Sequence, residues 1–479
     1  MKAFLAGAFT FVVLFAAPAA ANAVAIAVNT TADEYGTGTD CSLREAIEAA
    51  NGNASFGGCP AGFGDDAISL PDGTYRITRA GAEEDDNATG DFDVKGADAL
   101  HIQPVDSKAH VVIDGNGIDR VFDKTSTGNL KLTSLRITGG ALTQIEDGGG
   151  IRIGVGLTEL EDVTVDGNSS AYSAGGIAVY AQLQMLNSTI SGNSSGGNGG
   201  GIYVPGGATA TARSSTIYGN RADSDGDGNG YGGGFALAGG TSVNFTNVLN
   251  VKNSGVSSVP GNDAYDCYSG PSYYPRYTIQ TQSIGPNDCL VGFNESSTSV
   301  SDPKVDPTLA YNDGGQTPTH DLLAGSPAIG AGGTAAPDEC PGTDQNGVTR
   351  PAGACDVGAV QYVPTPQTVI VKITKILPKK KVIRRKKNKV MTLAVMNAGT
   401  GPAAGVKACL ALPRAAKKGL RIKGKACKDL GAMPANGVRQ AKVRLVAKPK
   451  AKKKAYVVRA SARAAGASPQ LTTFKVRVR

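Results

Sequence analysis

Tryptophan is absent from this 479-residue chain, and histidine occurs three times, at His101, His110 and His320. His101 and His110 flank strand-like stretches with no serine, cysteine or carboxylate pattern beside them, so no triad can be drawn through them. Close C-x-x-C spacing is missing, which removes the usual zinc pattern. No G-x-x-x-x-G-K-[ST] phosphate loop occurs, and the many G-x-G matches are turn glycines in a chain with 65 glycines. Helix-length apolar stripes are scarce, which excludes ankyrin-like and leucine-rich repeats. No apolar run reaches the roughly 20 residues of a membrane span. Acid is almost missing from the last quarter of the chain: residues 366–479 hold 31 Lys and Arg against one carboxylate, Asp429.

The rest of the chain has the opposite balance. Residues 1–365 hold 17 Lys and Arg and 40 Asp and Glu, so the formal net charge of +7 conceals a body of −23 and a domain of +30. Asymmetry of this size bears on partners, not on fold. The amino terminus predicts a secretory signal over residues 1–23. Lys2 is followed by an apolar run from Ala3 to Ala17, and Ala21-Asn22-Ala23 fits a small-x-small cleavage site. The expected location is therefore extracellular, secreted or at the cell surface. Eight cysteines form sequence-neighbour pairs, Cys41 with Cys59, Cys267 with Cys289, Cys340 with Cys355 and Cys409 with Cys427, separated by 18, 22, 15 and 18 residues. With export, four local disulfides are expected.

A repeat runs through the middle. Gly149-Gly150-Ile151-Arg152-Ile153 recurs as Gly175-Gly176-Ile177-Ala178-Val179, Gly200-Gly201-Ile202-Tyr203-Val204 and Gly233-Gly234-Phe235-Ala236-Leu237, at intervals of 26, 25 and 33 residues. Between these copies lie Val163-Thr164-Val165-Asp166-Gly167-Asn168, Thr189-Ile190-Ser191-Gly192-Asn193 and Thr216-Ile217-Tyr218-Gly219-Asn220. Each motif alternates apolar and polar residues and ends in a Gly or Asn turn signal. Short strands at a period near 25 make one rung of a coil, whose rungs stack at the spacing of paired strands, about 4.8 Å. The expected fold is all-β: a right-handed parallel β-helix with Ile151, Ile177 and Ile202 stacked inside and Asn168, Asn193 and Asn220 stacked at one corner.

A coil needs caps over its open ends. In Cys41-Ser42-Leu43-Arg44-Glu45-Ala46-Ile47, Ser42 and Glu45 make a capping box. Leu43, Ala46, Ile47 and Ala50 line one face of the helix that follows. Cys41 to Ala46 also resembles, without change, the signature of bacterial exported proteins named for the C-S-L-R-E-A motif. Val112-Ile113-Asp114-Gly115-Asn116-Gly117 looks like their first regular rung. A second block is similar to the choice-of-anchor Q module, through Asp306-Pro307, Gly314-Gly315, Thr317-Pro318-Thr319-His320, Gly325-Ser326-Pro327-Ala328-Ile329, Asp344-Gln345 and Cys355-Asp356-Val357-Gly358-Ala359. Gly330 departs from the aspartate common there. The resemblance spans roughly residues 25–362. It implies a parallel β-helix, export and surface display through a variable C-terminal part, and no known reaction. The expected organisation is a signal (1–23), a cap and first rungs (24–110), the β-helix (111–300), the solenoid's C-terminal anchor-Q-like module (301–362), a linker (363–368) and a basic immunoglobulin-like β-sandwich (369–479). Alternating stretches at Met391–Met396, Val406–Leu412, Val438–Val446, Ala455–Ser461 and Leu471–Val478 carry the last assignment.

Few residues qualify as a site. Asp223, Asp225 and Asp227 alternate as in a calcium loop, but Gly234 stands where a closing glutamate belongs, so no tight calcium site and no cofactor are expected. Tyr265, Tyr268, Tyr273, Tyr274 and Tyr277 form a candidate contact patch. A polysaccharide lyase would need calcium-binding aspartates beside an arginine on one outer wall. Arg136 and Arg152 can face outward, but no aspartates repeat beside them at one rung's distance, and Asp65-Asp66 falls in the cap. Polygalacturonase-like sites need clustered aspartates with a G-H-G and an R-I-K element, and neither of these two elements is expected here. The sequence therefore predicts a non-enzymatic surface or matrix protein, with a calcium-assisted lyase as the alternative. The basic domain is expected to hold an anionic cell-wall polymer or acidic polysaccharide, or the acidic coil of another copy. Intracellular nucleic acid is not an expected partner.

Overall fold

A computed structural model describes residues 24–81, 84–255, 267–268 (backbone only), 273–281, 297–333, 340–353, 355–364, 368–465 and 467–479. The expected signal, residues 1–23, lies outside them. The chain divides into two units, 1–362 and 363–479.

The first unit is a parallel β-helix. Each full rung contributes one strand to each of three parallel sheets, called walls 1, 2 and 3 in chain order: Ile151–Ile153, Leu157–Glu161 and Thr164–Asp166 make one rung. Wall 1 has seven strands, and walls 2 and 3 have nine each. The expected register is met. Ile151 pairs with Ile177, Ile177 with Ile202 and Ile202 with Phe235, all essentially unexposed. Val165, Ile190 and Ile217 stack likewise on wall 3. Each inward isoleucine contributes roughly 2 kcal/mol by burial, and in-register stacking means every rung buries its apolar positions on the rung before it. The insertion before Phe235 loops out without breaking that register. Stacking begins within the segment expected to hold the cap and first rungs: Val24–Ala27 pairs with Asp66–Leu70, and Val111–Asp114 lies on Gly73–Arg76. Asp66 thus starts a wall strand, against the expectation that it belongs to the cap.

The asparagine corner carries a continuous ladder. Each side-chain carbonyl accepts two bonds from the preceding asparagine, from its backbone N–H and its Nδ2: Asn168 to Asn193 (3.0 and 3.0 Å), Asn193 to Asn220 (3.0 and 2.9 Å) and Asn220 to Asn253 (2.9 and 2.9 Å). The second amide proton of Asn193 goes to the carbonyl of Val165 at 3.0 Å. All four side chains are buried and satisfied, so polar residues stand inside the coil without penalty.

The N-terminal helix spans Leu43–Gly52 with both arms of the capping box formed. Every residue of Cys41 to Ala46 has a task there. Cys41 is bonded to Cys59, Ser42 and Glu45 cap, and Leu43 and Ala46 pack into the core. Arg44 is fully buried. It meets Asp33 at 2.6 Å, donates to the carbonyls of Asn87, Gly90 and Asp91, and lies 4.7 Å from the Phe92 ring centroid.

The described residues of the 301–362 segment do not prolong the coil; they lie as a strap along the outside of wall 3. Gln316 donates to the carbonyls of Asp106 and Ala109, and Thr317 to that of Asp162. The outward threonine ladder Thr164, Thr189, Thr216 is read in turn. Thr164 donates to the Pro318 carbonyl, Gln345 bridges Thr164 and Thr189, and Thr216 accepts from the Ala359 N–H. Cys340 and Cys355 are joined within the strap.

The second unit is a sandwich of a four-stranded and a five-stranded sheet with its own core. All five expected strands are present, joined by Val371–Leu377, Val382–Ile383, Leu420–Lys423 and Cys427–Met433. Cys409 and Cys427 form a cross-strand disulfide. Cys289 lies outside the described residues, so the remaining expected bridge does too.

Asn193→Ala should destabilise the coil by about 3 kcal/mol, because it takes the acceptor from two buried Asn168 donors, removes the amide donor from the Val165 carbonyl and leaves the Asn220 side-chain carbonyl with only the backbone N–H of residue 193. Urea unfolding of the first unit's transition checks this. A loss below about 0.5 kcal/mol would mean that the ladder contributes little.

Candidate functional site

The sequence-predicted residues are placed as follows. Asp223, Asp225 and Asp227 do converge, with one carboxylate oxygen of each within 4.8 Å of the others. Asp225 and Asp227 are exposed, and the loop bonds to itself: the Gly228 N–H reaches Asp223 at 2.9 Å and the Asn229 N–H reaches Asp227 at 2.9 Å. The tyrosine patch does not hold as a surface. Tyr273 is fully buried, because its wall-2 strand points it into the coil against Phe235 and Phe245. Tyr274, one residue on, faces out and is exposed, and Tyr277 is half-buried in a turn. Tyr265 lies outside the described residues, and the Tyr268 backbone pairs with Ala236 in wall 1. His320, on the strap, is buried against wall 3. Its Nδ1 is 2.9 Å from the Asp306 carbonyl and its Nε2 2.8 Å from Ser191 Oγ, so Nδ1–H donates and Nε2 accepts. That pair fastens the strap to wall 3. The partner of His320 Nδ1 is a carbonyl and not a carboxylate.

What the sequence reading missed is an acidic cleft of about 290 Å³ on the outer side of wall 1. Among the described residues seven carboxylates, two guanidiniums and the tyrosines Tyr172 and Tyr180 line it. Stacking places Asp123 and Arg152 in its lining, with Asp93 buried beside Asp123. Asp93 pairs with Asp123, and Asp123 pairs with Arg152, each the outward middle residue of its strand. The expectation that no aspartate stands one rung from Arg152 is therefore wrong. It fails for Arg136 as well, which holds Asp166 of the next rung through two bonds of 2.7 Å. The early rungs have a period near 30 and no Gly-Gly-apolar signature, so a search at 25 residues passes over them.

The cleft electrostatics follow from burial. Arg120 is 5% exposed and reaches Asp91 at 3.1 Å, Asp123 at 3.0 Å and Glu146 at 2.7 Å. Arg152 reaches Asp123 at 2.9 Å and lies 5.8 Å from the Tyr180 ring centroid. Tyr180 donates to Asp147. Burial pushes Asp93 up to about 7, with Asp123 and Glu84 adding repulsion. Asp91 is raised well above the carboxylate range, because burial and three neighbouring aspartates outweigh the shared Arg120.

The sandwich carries a second cleft, of about 440 Å³, with Lys423, Lys425, Lys428, Lys442 and Arg444 around it. Lys423 and Arg444 are directly opposite each other on neighbouring antiparallel strands. Like charges so placed repel. Asp429, the domain's one acid, pairs with Lys407 at 3.9 Å on the other sheet. The tripeptide Arg421-Ile422-Lys423 occurs here, on a sandwich strand and not on the coil.

Comparison with known proteins adds little. No family model matches the chain, and no curated protein does. Two solved structures of the CARDB domain of the PF1109 protein from Pyrococcus furiosus are similar at 15% identity: a solution NMR structure and a crystal structure in complex with di-metal ions. They cover 23% and 24% of this chain and 93% and 89% of their own, each with a TM-score of 0.16. That score is too low for either to bear on what this chain does. Among the described residues no helix is long and apolar enough to cross a membrane.

The raised aspartates fix a pH dependence. Asp93 and Asp162 titrate near 7 in the fold and Asp321 near 6, each raised chiefly by burial, against about 3.9 unfolded. Between about pH 4 and 7 the folded state then holds protons that the unfolded state has released, so stability falls as pH rises through that window. His101 and His320, lowered by burial, oppose this but are fewer. Lys124, pushed down to about 8 by burial, is protonated in both states below that value. In metal-free buffer the coil's calorimetric Tm should be several degrees higher at about pH 5 than at about pH 8. An equal or higher Tm at the alkaline end would contradict the assignment.

Proposed function

We propose that this is a non-enzymatic exported protein of the C-S-L-R-E-A kind. Its coil acts as a surface or matrix spacer, and its basic sandwich retains it on an anionic cell-wall polymer or acidic polysaccharide. The observation that carries this reading is the segregation of charge: 31 cations and one acid on the sandwich, five of the cations around one cleft. Holding that many like charges on a small domain costs self-repulsion, which a bound polyanion offsets. Three disulfides, one in the cap, one in the strap and one in the sandwich, suit an oxidising compartment. Two aromatics, Tyr456 and Phe474, leave the domain ill-equipped to stack nucleic-acid bases.

The acidic cleft is the one feature that favours a lyase. Against it, both cleft guanidiniums are held by carboxylates, which leaves neither free to act as a base, and among the described residues no histidine or lysine lines the cleft. Incubation with uronic-acid polymers should yield no unsaturated product.

The purified protein should stay on an anionic polysaccharide column at about 0.15 M salt and elute as salt approaches 1 M, since screening shortens from about 8 Å to about 3 Å over that range. Replacing Lys423, Lys425, Lys428, Lys442 and Arg444 together by Gln should move elution to clearly lower salt. Flow-through of the unaltered protein at 0.15 M ends the reading, and so does retention that persists unchanged at 1 M.

A further inference from the structure

We propose that Asp85 and Asp123, which line the acidic cleft, and Asp93, buried beside Asp123, form a binding site for a hard divalent cation of the calcium class. This site is independent of the basic domain and of its partner. Stacking sets Asp93 and Asp123 side by side on adjacent wall-1 strands. Asp85 arrives from the loop before them, and one carboxylate oxygen of each of the three lies within 4.8 Å of the others. Calcium binds oxygen at 2.3–2.6 Å, so two ligands of one ion stand up to about 5 Å apart.

Proximity of acids alone would prove nothing, but burial adds a second observation. Asp93 is 1% exposed and Asp123 2%. One oxygen of each is accounted for: Asp93 Oδ2 accepts from the Asn87 N–H at 2.8 Å, and Asp123 Oδ2 accepts from Arg120 and Arg152. The other oxygen of each, Oδ1, is buried and has no donor. Two such acceptors side by side, both on acids, can be satisfied together by one cation, and a buried acceptor without a partner costs about 1–3 kcal/mol. The surrounding charge points the same way, with seven lining carboxylates against two guanidiniums among the described residues.

The donor set selects the ion. It is all carboxylate oxygen, without histidine or cysteine, which suits calcium or magnesium over zinc or copper. Ligands fixed to a sheet on one side and to a loop on the other favour the larger, less exacting ion. Asp85 is exposed and the cleft opens beside it, so waters or ligand oxygens can complete the shell. The Asp223, Asp225 and Asp227 loop is the weaker candidate, because its own amide groups already occupy its carboxylates.

The test is calorimetric titration of the chelator-stripped full-length mature protein with calcium chloride and, separately, magnesium chloride near neutral pH. One saturable calcium site is expected, with a dissociation constant of about 10⁻⁵ to 10⁻³ M, accompanied by a rise in Tm. Magnesium should bind at least tenfold more weakly. Asp123→Asn should abolish binding. Because that change also touches Arg120 and Arg152, Asp85→Asn on the exposed loop serves as the second variant; it should weaken binding at least tenfold while the calcium-free Tm stays put. Asp225→Asn should leave binding as it was. No saturable calcium binding overturns the site. So does binding that survives Asp85→Asn but is lost with Asp225→Asn, and so does a preference for magnesium.

Discussion

Everything in the first unit depends on each residue lying against its own copy one rung away. That constraint selects side chains by how they tolerate themselves. Isoleucine on isoleucine at 151, 177 and 202 buries area without strain. Asparagine on asparagine at 168, 193, 220 and 253 works because an amide both donates and accepts, so the ladder closes on itself. Aspartate on aspartate at 93 and 123 does not work by itself, since a carboxylate only accepts. There the structure recruits Arg120 and Arg152 and still leaves two oxygens over.

The same constraint explains the two attachments. A first rung has no earlier copy to lie on, and the helix Leu43–Gly52 supplies one surface while Arg44 gathers the loose carbonyls of residues 87–91. An outward polar ladder on wall 3 would face water as a bare row of threonines. The strap meets that row residue by residue, so that Thr164, Thr189 and Thr216 are buried although they point away from the core.

Much of this was legible in the sequence. The 25-residue spacing placed Ile151, Ile177 and Ile202 on one wall, the capping box located the helix start, and alternation found five sandwich strands. What stayed hidden has physical reasons. Tyr273 and Tyr274 sit in a cluster of tyrosines, and only the strand's phase decides that one is core and its neighbour surface. The acidic cleft was overlooked because aspartates in the middle of strands carry no strand signal, and because the early rungs are longer than the later ones. The course of the strap was not readable either, since nothing in residues 301–362 says whether they extend the coil or run beside it.

The strap changes how the coil meets tension. A pull delivered through the sandwich enters the first unit at Tyr362, next to residues whose bonds run to Thr216, Asn247, Thr189 and, further back, Asp162 and Asp106. Force applied at the last rung of an unstrapped coil would peel its edge strand one bond at a time. Here the strap's bonds are spread over several rungs and share the load in shear, so the coil resists as a block and not as a zipper.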